Sequence, residues 1–355
     1  MEKDAVAVIT MSNSFGKILT LTTFGESHGQ VVGGVLDGFP AGITIDETFV
    51  YEQLQRRKEM PMATPRKEDD KPEFLSGIYE GRSTGAPIAF IIKNNQFRSA
   101  DYDDLRDVFR PSHADYTYLQ KYGLRDHRGG GRSSARTLVV RIVAGCLAQM
   151  ALQQQGIKIH AYVSQIGNLQ IADGDLQSAE PLLRDVASAG DSIGGCVQCI
   201  ATGCPIGLGE PEFDKLHASL AQAMMSIHAA KGFEIGDGFA LAAKRGSEAN
   251  DCFTISNNQI RTTTNHSGGV LGGISNGEEI VFRVAFKPIP SIQIKQQTVN
   301  TASERCEIAI KGRHDVCAAP RAVPVVECMT ALVLLDALLL HRSRKNFSSL
   351  SHDNP

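Results

Sequence analysis

Three consecutive glycines, Gly129 to Gly131, run into Arg132-Ser133-Ser134 and then directly into a strongly helical segment. There Leu138, Val139, Ile142, Val143, Cys146, Leu147 and Met150 recur as a double apolar stripe at helical spacing. The chain therefore needs a long, buried helix entered through a glycine-rich turn. Ser133 or Ser134 is the expected N-cap and Gly156 the expected stop. Such a turn exposes N–H groups at the positive end of the helix dipole, where anions, and phosphate above all, are stabilised. The wider stretch Arg110–Arg136 adds Arg110, Lys121, Arg125, Arg128, Arg132 and Arg136 against only Asp115 and Asp126. His113 and His127 lie within it. It reads as the floor of a site for a phosphorylated ligand.

The basic stretch is local, because the whole chain carries a net charge of only −3, which argues against general nucleic-acid binding. Among the cysteines only Cys196-x-x-Cys199, followed by Cys204, forms a cluster. A zinc site needs a second pair or histidines at ligand spacing. The segment reads instead as a buried strand and turn, so no metal is expected, and a reducing compartment suits these thiols. The opening MEKDAVAVITMSNS matches neither a secretory nor an organellar signal. The apolar run Cys328–Leu340 is short for the ~20 residues of a membrane span and contains Asp336. A cytoplasmic location is expected.

Along the chain, strands are expected over 14–23, 31–39, 157–166, 193–203, 234–244 and 278–288. A hairpin-like pair is expected from 75–81 with 86–94. Helices are expected over 46–58, 175–190, 211–232 and from about Pro324, the last apolar on most faces and so a core element. The turn FGESHGQ at 24–30 exposes Ser27 and His28, either as surface residues or as an acid or base at a strand end. His217 and His228 read as helix-surface residues. The charged, proline-interrupted loop 59–73, with Arg56, Arg57 and Lys58 before it and Arg66 and Lys67 inside it, is either solvated or a lid over an anion. The segment 262–277 holds five glycines, so its backbone must approach a ligand or another strand closely. No linker divides the chain, and the irregular alternation of elements favours a single α+β domain with helices packed on sheets.

A basic, glycine-rich cradle with several histidines and an isolated Asp315 fits three classes of function. A lyase expelling phosphate needs cations around the leaving group, a general acid and a base. A histidine-nucleophile phosphoryl-transfer enzyme would use Arg313-His314, which lies late in the chain for that role. A nucleic-acid module would use RGGGR, and would call for more basic charge and exposed aromatics.

The blocks FGESHG, RPSHADYTYLQKYGLRDHRGGGRSSAR, MMSIHAAKG-EIGDGF, NHSGGVLGGISNG, KPIPSI and GRHDVCAAPRAVPVVE, in this order, resemble the chorismate synthase family. The resemblance runs over 14–341, leaving 1–13 as an extension and 342–355 as a polar tail. It implies one β-α-β sandwich domain with helices between two sheets, assembled as a homotetramer. It also implies conversion of 5-enolpyruvylshikimate 3-phosphate to chorismate and phosphate, a 1,4-elimination in the shikimate pathway that needs reduced FMN. By the same resemblance His28 protonates the leaving phosphate, and His113 is the proton donor to the reduced flavin. Asp315 helps to move the substrate proton, with Ser27 and Ser134 as relays. FMN contacts would fall to Arg132, Ser133, Ser134, His228, Ala229, Gly272, Lys287, Pro288, Ile289, Pro290, Ser291 and Arg313. Substrate contacts would fall to Arg57, Arg132 and His28, and His127 takes a supporting role. The loop after Lys58 is shorter than the family pattern and lacks one of its arginines. With no added domain, the flavin is expected to be reduced by an external reductase rather than by an NADPH activity of this chain.

Overall fold

The computed structural model describes residues 13–58, 70–94, 105–310 and 315–344. Two antiparallel five-stranded sheets enclose the helices. The first contains β1 (Ser14–Phe15), β2 (Thr20–Gly25), β3 (Val31–Asp37), β4 (Glu73–Phe74) and β5 (Ile88–Lys93), in spatial order β1-β2-β3-β5-β4. The second contains β6 (Lys158–Ile166), β7 (Leu169–Gln170), β8 (Gly195–Thr202), β9 (Ala230–Ile235) and β10 (Ile280–Phe286), in order β9-β10-β8-β6-β7. In β8 and β10 every second residue is buried, so one face of that sheet is apolar and must be covered.

The cover is helical. In chain order the helices of eight or more residues are α1 (Glu47–Arg56), α2 (Asp115–Tyr122), α3 (Leu138–Gln153), α4 (Glu180–Ser188), α5 (Leu216–Met225) and α6 (Ala319–Ser343). The α3 helix lies on β3, α6 lies on β6 and β8, and the two helices pack along each other. The fold is thus α+β, with helices between two sheets. Both α3 with its lead-in turn (135–153) and α6 are apolar enough by length and composition to cross a membrane, yet 78% and 72% of their apolar windows are buried in protein. They are the centre of the core.

Close approach depends on Gly145 in α3. A Cβ there would lie 2.2 Å from the Cys328 Cβ and 2.4 Å from its Cα, so the helices cross with no room for a side chain. Polar residues in α6 tie the layers together. Asp336 accepts from the backbone N–H groups of Lys17, Ile18 and Leu19 at 3.1, 2.8 and 2.9 Å, anchoring the β1–β2 turn. Glu327, 3% exposed, accepts from Ala161 N at 2.8 Å and Arg56 Nη1 at 2.7 Å.

Several boundaries differ from expectation. The 211–232 helix shrinks to α5, because 211–215 form a turn and Ala230 is recruited into β9 opposite Phe286. The expected strand 234–244 ends at Ile235, and Gly238–Ala243 is a 3-10 helix. The pairing expected of 75–81 with 86–94 is shifted: Glu73–Phe74 pairs with Phe90 and Ile91 of β5, Leu75 N donates to Ala89 O at 2.8 Å, and Ile78–Tyr79 turns away to pair with Arg82–Ser83. The last helix begins at Ala319, with Pro324 inside it. Cys196 and Cys199 lie in β8 as expected of a strand, with Cys199 fully buried.

Candidate active site

The glycine run is the hub of the site. Gly129 lies against the His28 ring: a Cβ there would be 1.6 Å from Nε2, so only glycine leaves the imidazole its place. Gly131 O accepts from Ser27 N at 3.4 Å, linking the loop to the turn between β2 and β3. Burial holds the His28 pKa below 6.5, Asp126 opposing and Arg128 and Arg110 adding to the drop. The Ser27 Oγ is buried without a hydrogen-bond partner among the described residues.

The helix start is built differently from the expected phosphate cradle. Ser134 caps the short 3-10 turn Ala135–Thr137, accepting from Arg136 N at 3.3 Å, and α3 follows at Leu138. The N–H groups of Ser133, Ser134 and Thr137 bond to Gly130 O, Gly131 O and Ser134 O, so they are already used within the loop. Gly156 stops the segment after α3 as expected, with φ 76°.

Arg132 turns toward β2. Its guanidinium donates to Gly25 O (3.0 Å), Thr23 O (3.2 Å), Thr23 Oγ1 (2.7 Å) and Asn13 Oδ1 (2.9 Å), fixing the strand that carries Ser27 and His28. On the other side, Arg132 O lies 3.3 Å from His228 Nε2. Burial, with Arg141, Arg57 and Arg132 close by, pushes His228 down to about 4. Its Nδ1 is buried without a hydrogen-bond partner among the described residues. Arg57, 9% exposed, donates to Ala135 O at 2.8 Å.

The chain of contacts continues through Ala229, which holds φ 67° and accepts from Lys287 N at 3.0 Å. A left-handed φ is costly for alanine, and such strain persists only where neighbours impose it. Lys287 Nζ donates to Ser112 O at 3.0 Å, and Ser291 Oγ lies 3.0 Å from His113 Nε2. His113 Nδ1 lies 2.9 Å from Pro111 O. A carbonyl can only accept, so Nδ1 carries the hydrogen. Burial, reinforced by Arg110 and Lys287, lowers His113 to about 4, so its ring is neutral near pH 7. Nε2 is then the acceptor and the Ser291 hydroxyl the donor.

Among the residues singled out in the sequence, His28, His113, His228, Ala229, Ser291, Lys287 and the 132–134 loop are linked in one continuous chain of contacts. Asp315 accepts from Arg321 Nη2 at 2.8 Å, at the approach to α6. Pro288 to Pro290 follow Lys287, with Ile289 O bonded by Ser192 Oγ at 2.7 Å. Gly272, at φ 61°, tips the hairpin of Val270–Leu271 and Ile274–Ser275, whose next residue Gly273 packs on Glu210 and Lys215. Arg313 and most of the basic loop, 59–69, lie outside the described residues. Two groups that sequence reasoning missed are Asn94 and Asp70, which carry no motif signal. Asp70 is 1% exposed and takes Lys58 at 3.3 Å as well as Arg136.

A cleft of about 260 Å³ opens beside His28, walled by Glu26, Tyr118, Arg125 and Gly129 to Gly131. A larger cavity, about 420 Å³, lies between Phe15, the 207–216 segment and α6. Its charged walls are already paired, Lys17 with Asp214 and Arg344 with Glu210, whereas the smaller cleft holds the perturbed histidine. Chemistry favours the smaller one.

Comparison with known proteins agrees with this geometry. The family profile described as chorismate synthase matches residues 19–339. A chorismate synthase of Parabacteroides distasonis is 54% identical over 357 residues, covering 94% of this chain and 100% of its own. One from Bacteroides thetaiotaomicron is 54% identical over 355 residues, covering 94% and 99%. A crystal structure of chorismate synthase superposes with a TM-score of 0.74 at 29% identity, covering 95% of this chain and 96% of its own. The lyase, one of the three functions the residues permit, is the one in keeping with these relatives. The chain belongs to the chorismate synthase family and is an enzyme of the lyase class.

Proposed function

We propose that this enzyme converts 5-enolpyruvylshikimate 3-phosphate to chorismate and phosphate by a 1,4-elimination that needs reduced FMN, the shikimate-pathway step implied by its family. The observation that carries the reading is the chain of contacts joining His28, His228 and His113 through the 129–134 loop and Lys287–Ser291. Ser27 Oγ and His228 Nδ1, buried and unmatched among the described residues, are groups that a phosphorylated and heteroaromatic ligand pair would satisfy. The residues thus fit a flavin. Ser133, Ser134, His228, Ala229 and Lys287 to Ser291 would hold it, and when bound it supplies the electron-rich partner for the elimination.

Cations help to depress His28, His113 and His228 alike, a field that favours an anionic substrate. A phosphate dianion beside His28 raises the affinity of that ring for a proton, which it then delivers to the departing oxygen. His113 takes up a proton at Nε2 and passes it on from there, because Nδ1–H is held by Pro111 O. Arg57 meets the substrate anion, and Arg132 supports the site by fixing β2. Asp315 helps to move the substrate proton, with Ser27 and Ser134 as relays. Arg313 and Gly272 complete the flavin contacts.

The same reading takes the enzyme as cytoplasmic, acting on a small molecule rather than a nucleic acid or membrane, and served by an external flavin reductase. Assembly as a homotetramer is supported by the outward apolar residues Phe239, Phe253, Ile255 and Ile260, exposed by 83%, 69%, 78% and 67%. The test is the product. With substrate and pre-reduced FMN, the ring-diene chorismate is expected. A product that keeps the substrate ring and exchanges phosphate for hydroxyl would indicate a phosphatase instead.

A further inference from the structure

Asn94, one residue beyond β5, bonds to the turn that presents His28 on both sides. Its Nδ2 donates to Glu26 O at 3.1 Å and to Gly29 O at 2.8 Å, the two carbonyls that bracket Ser27-His28. Its backbone N–H donates to Gln30 O at 3.0 Å. Arg136 Nε donates to the Asn94 Oδ1 at 2.8 Å, and a guanidinium can only donate, so the carboxamide has one orientation. Arg136 is itself held by Asp70 and by Lys93 O at 3.2 Å. Within the turn the remaining backbone bond is Gly29 N to Glu26 O at 3.0 Å, and Gly131 O holds Ser27 N only at 3.4 Å. The backbone bond of Asn94 alone would extend the strand. The side-chain bonds reach across to the turn and have no such use.

We propose that Asn94 is a positioning residue for the elimination: its carboxamide, oriented by Arg136, holds the Glu26–Gly29 turn so that His28 sits against Gly129 and faces the leaving phosphate. This rests on the reading of His28 as the leaving-group acid. In this role Asn94 acts through the Glu26–Gly29 turn and not on the reacting atoms. Misplacing a catalytic group by about 1 Å can cost on the order of 10²-fold in rate.

The test uses the full-length enzyme with Asn94→Ala and Asn94→Asp. The Asp variant keeps an acceptor for Arg136 and removes both donors. Gly129→Ala displaces the same ring from its other side. Turnover should fall roughly 10- to 100-fold in each, with KM changed less than about threefold. In ligand-free Asn94→Ala, the His28 titration followed by NMR should move up toward 6.5 as the ring leaves its half-buried seat among Asp126, Arg128 and Arg110, while His113 stays put. Wild-type turnover in Asn94→Ala, or a lost turnover with an unmoved His28 titration, would overturn the proposal. Should Asn94→Ala not fold, Asn94→Asp carries the rate test, and unchanged turnover there overturns it equally. The titration needs no substrate, so it still reports on Asn94 if the reaction assignment fails in the wild-type enzyme.

Discussion

Two imidazoles that stay neutral near pH 7, His113 and His228, give the site a measurable signature. Each is pushed to about 4 by burial and by nearby cations, against an ordinary value of 6.5. Between about pH 4 and 6.5 the unfolded chain therefore binds more protons at these positions than the folded one, and stability rises with pH. Their contribution is complete above 6.5 and is lost as pH falls toward 4. Denaturant midpoints measured from pH 7 to 4.5 should fall more steeply for the wild type than for His228→Asn. Equal slopes would contradict the buried, neutral assignment. At this scale the sequence was partly legible. Residues 129–131 announced themselves as a special turn, but not that Gly129 makes room for His28, roughly a hundred positions away. Asn94 gave no signal, because one carboxamide beside a strand end has no spacing to recognise. Arg132 was legible as a cation of the glycine turn. Its engagement with Thr23 and Gly25 comes from tertiary placement, which no local pattern encodes.

Among the elements, α3 and α6 carry the fold, and their crossing is the most exposed point in the design. Gly145 permits a contact that any side chain would block, with Cys328 O only 2.6 Å from where a Cβ would sit. Gly145→Ala should destabilise by about 1–3 kcal/mol through overpacking, even though alanine favours helix. The reading is a lower urea midpoint with an unchanged m-value. A neutral or stabilising effect would contradict the tight crossing. Both helices were legible, α3 from its double apolar stripe and α6 from an apolar run with no polar face, though its start was placed at about Pro324 instead of Ala319. The end of α5 was not. The MMSIHAAKG segment keeps a helical look through Gly232, yet pairing of Ala230 with Phe286 and the bond from Lys287 N to Ala229 O pull it into β9. That competition puts the strained Ala229 and His228 at the site, so the failure of the local pattern coincides with a functional position.

For the whole molecule, the site forms where the end of β2 in one sheet meets the ends of β9 and β10 in the other, bridged by the loop before α3. The sandwich brings together segments that are remote in the chain, and this distance is the part of the site that periodicity and composition could not supply. The blocks that resemble the family supplied the candidates, and the contacts show how His28, His228, Ala229, Lys287, Ser291 and His113 are linked. The central claim is that this site releases phosphate by a flavin-dependent elimination with His28 and His113 handling protons. The direct measurement is anaerobic phosphate release from 5-enolpyruvylshikimate 3-phosphate, with and without pre-reduced FMN. The wild type is expected to release phosphate only with the reduced flavin, and His28→Ala or His113→Ala to slow release by about 10²–10⁴-fold with folding intact. Equal release without flavin, or near-normal rates in both variants, would contradict the account.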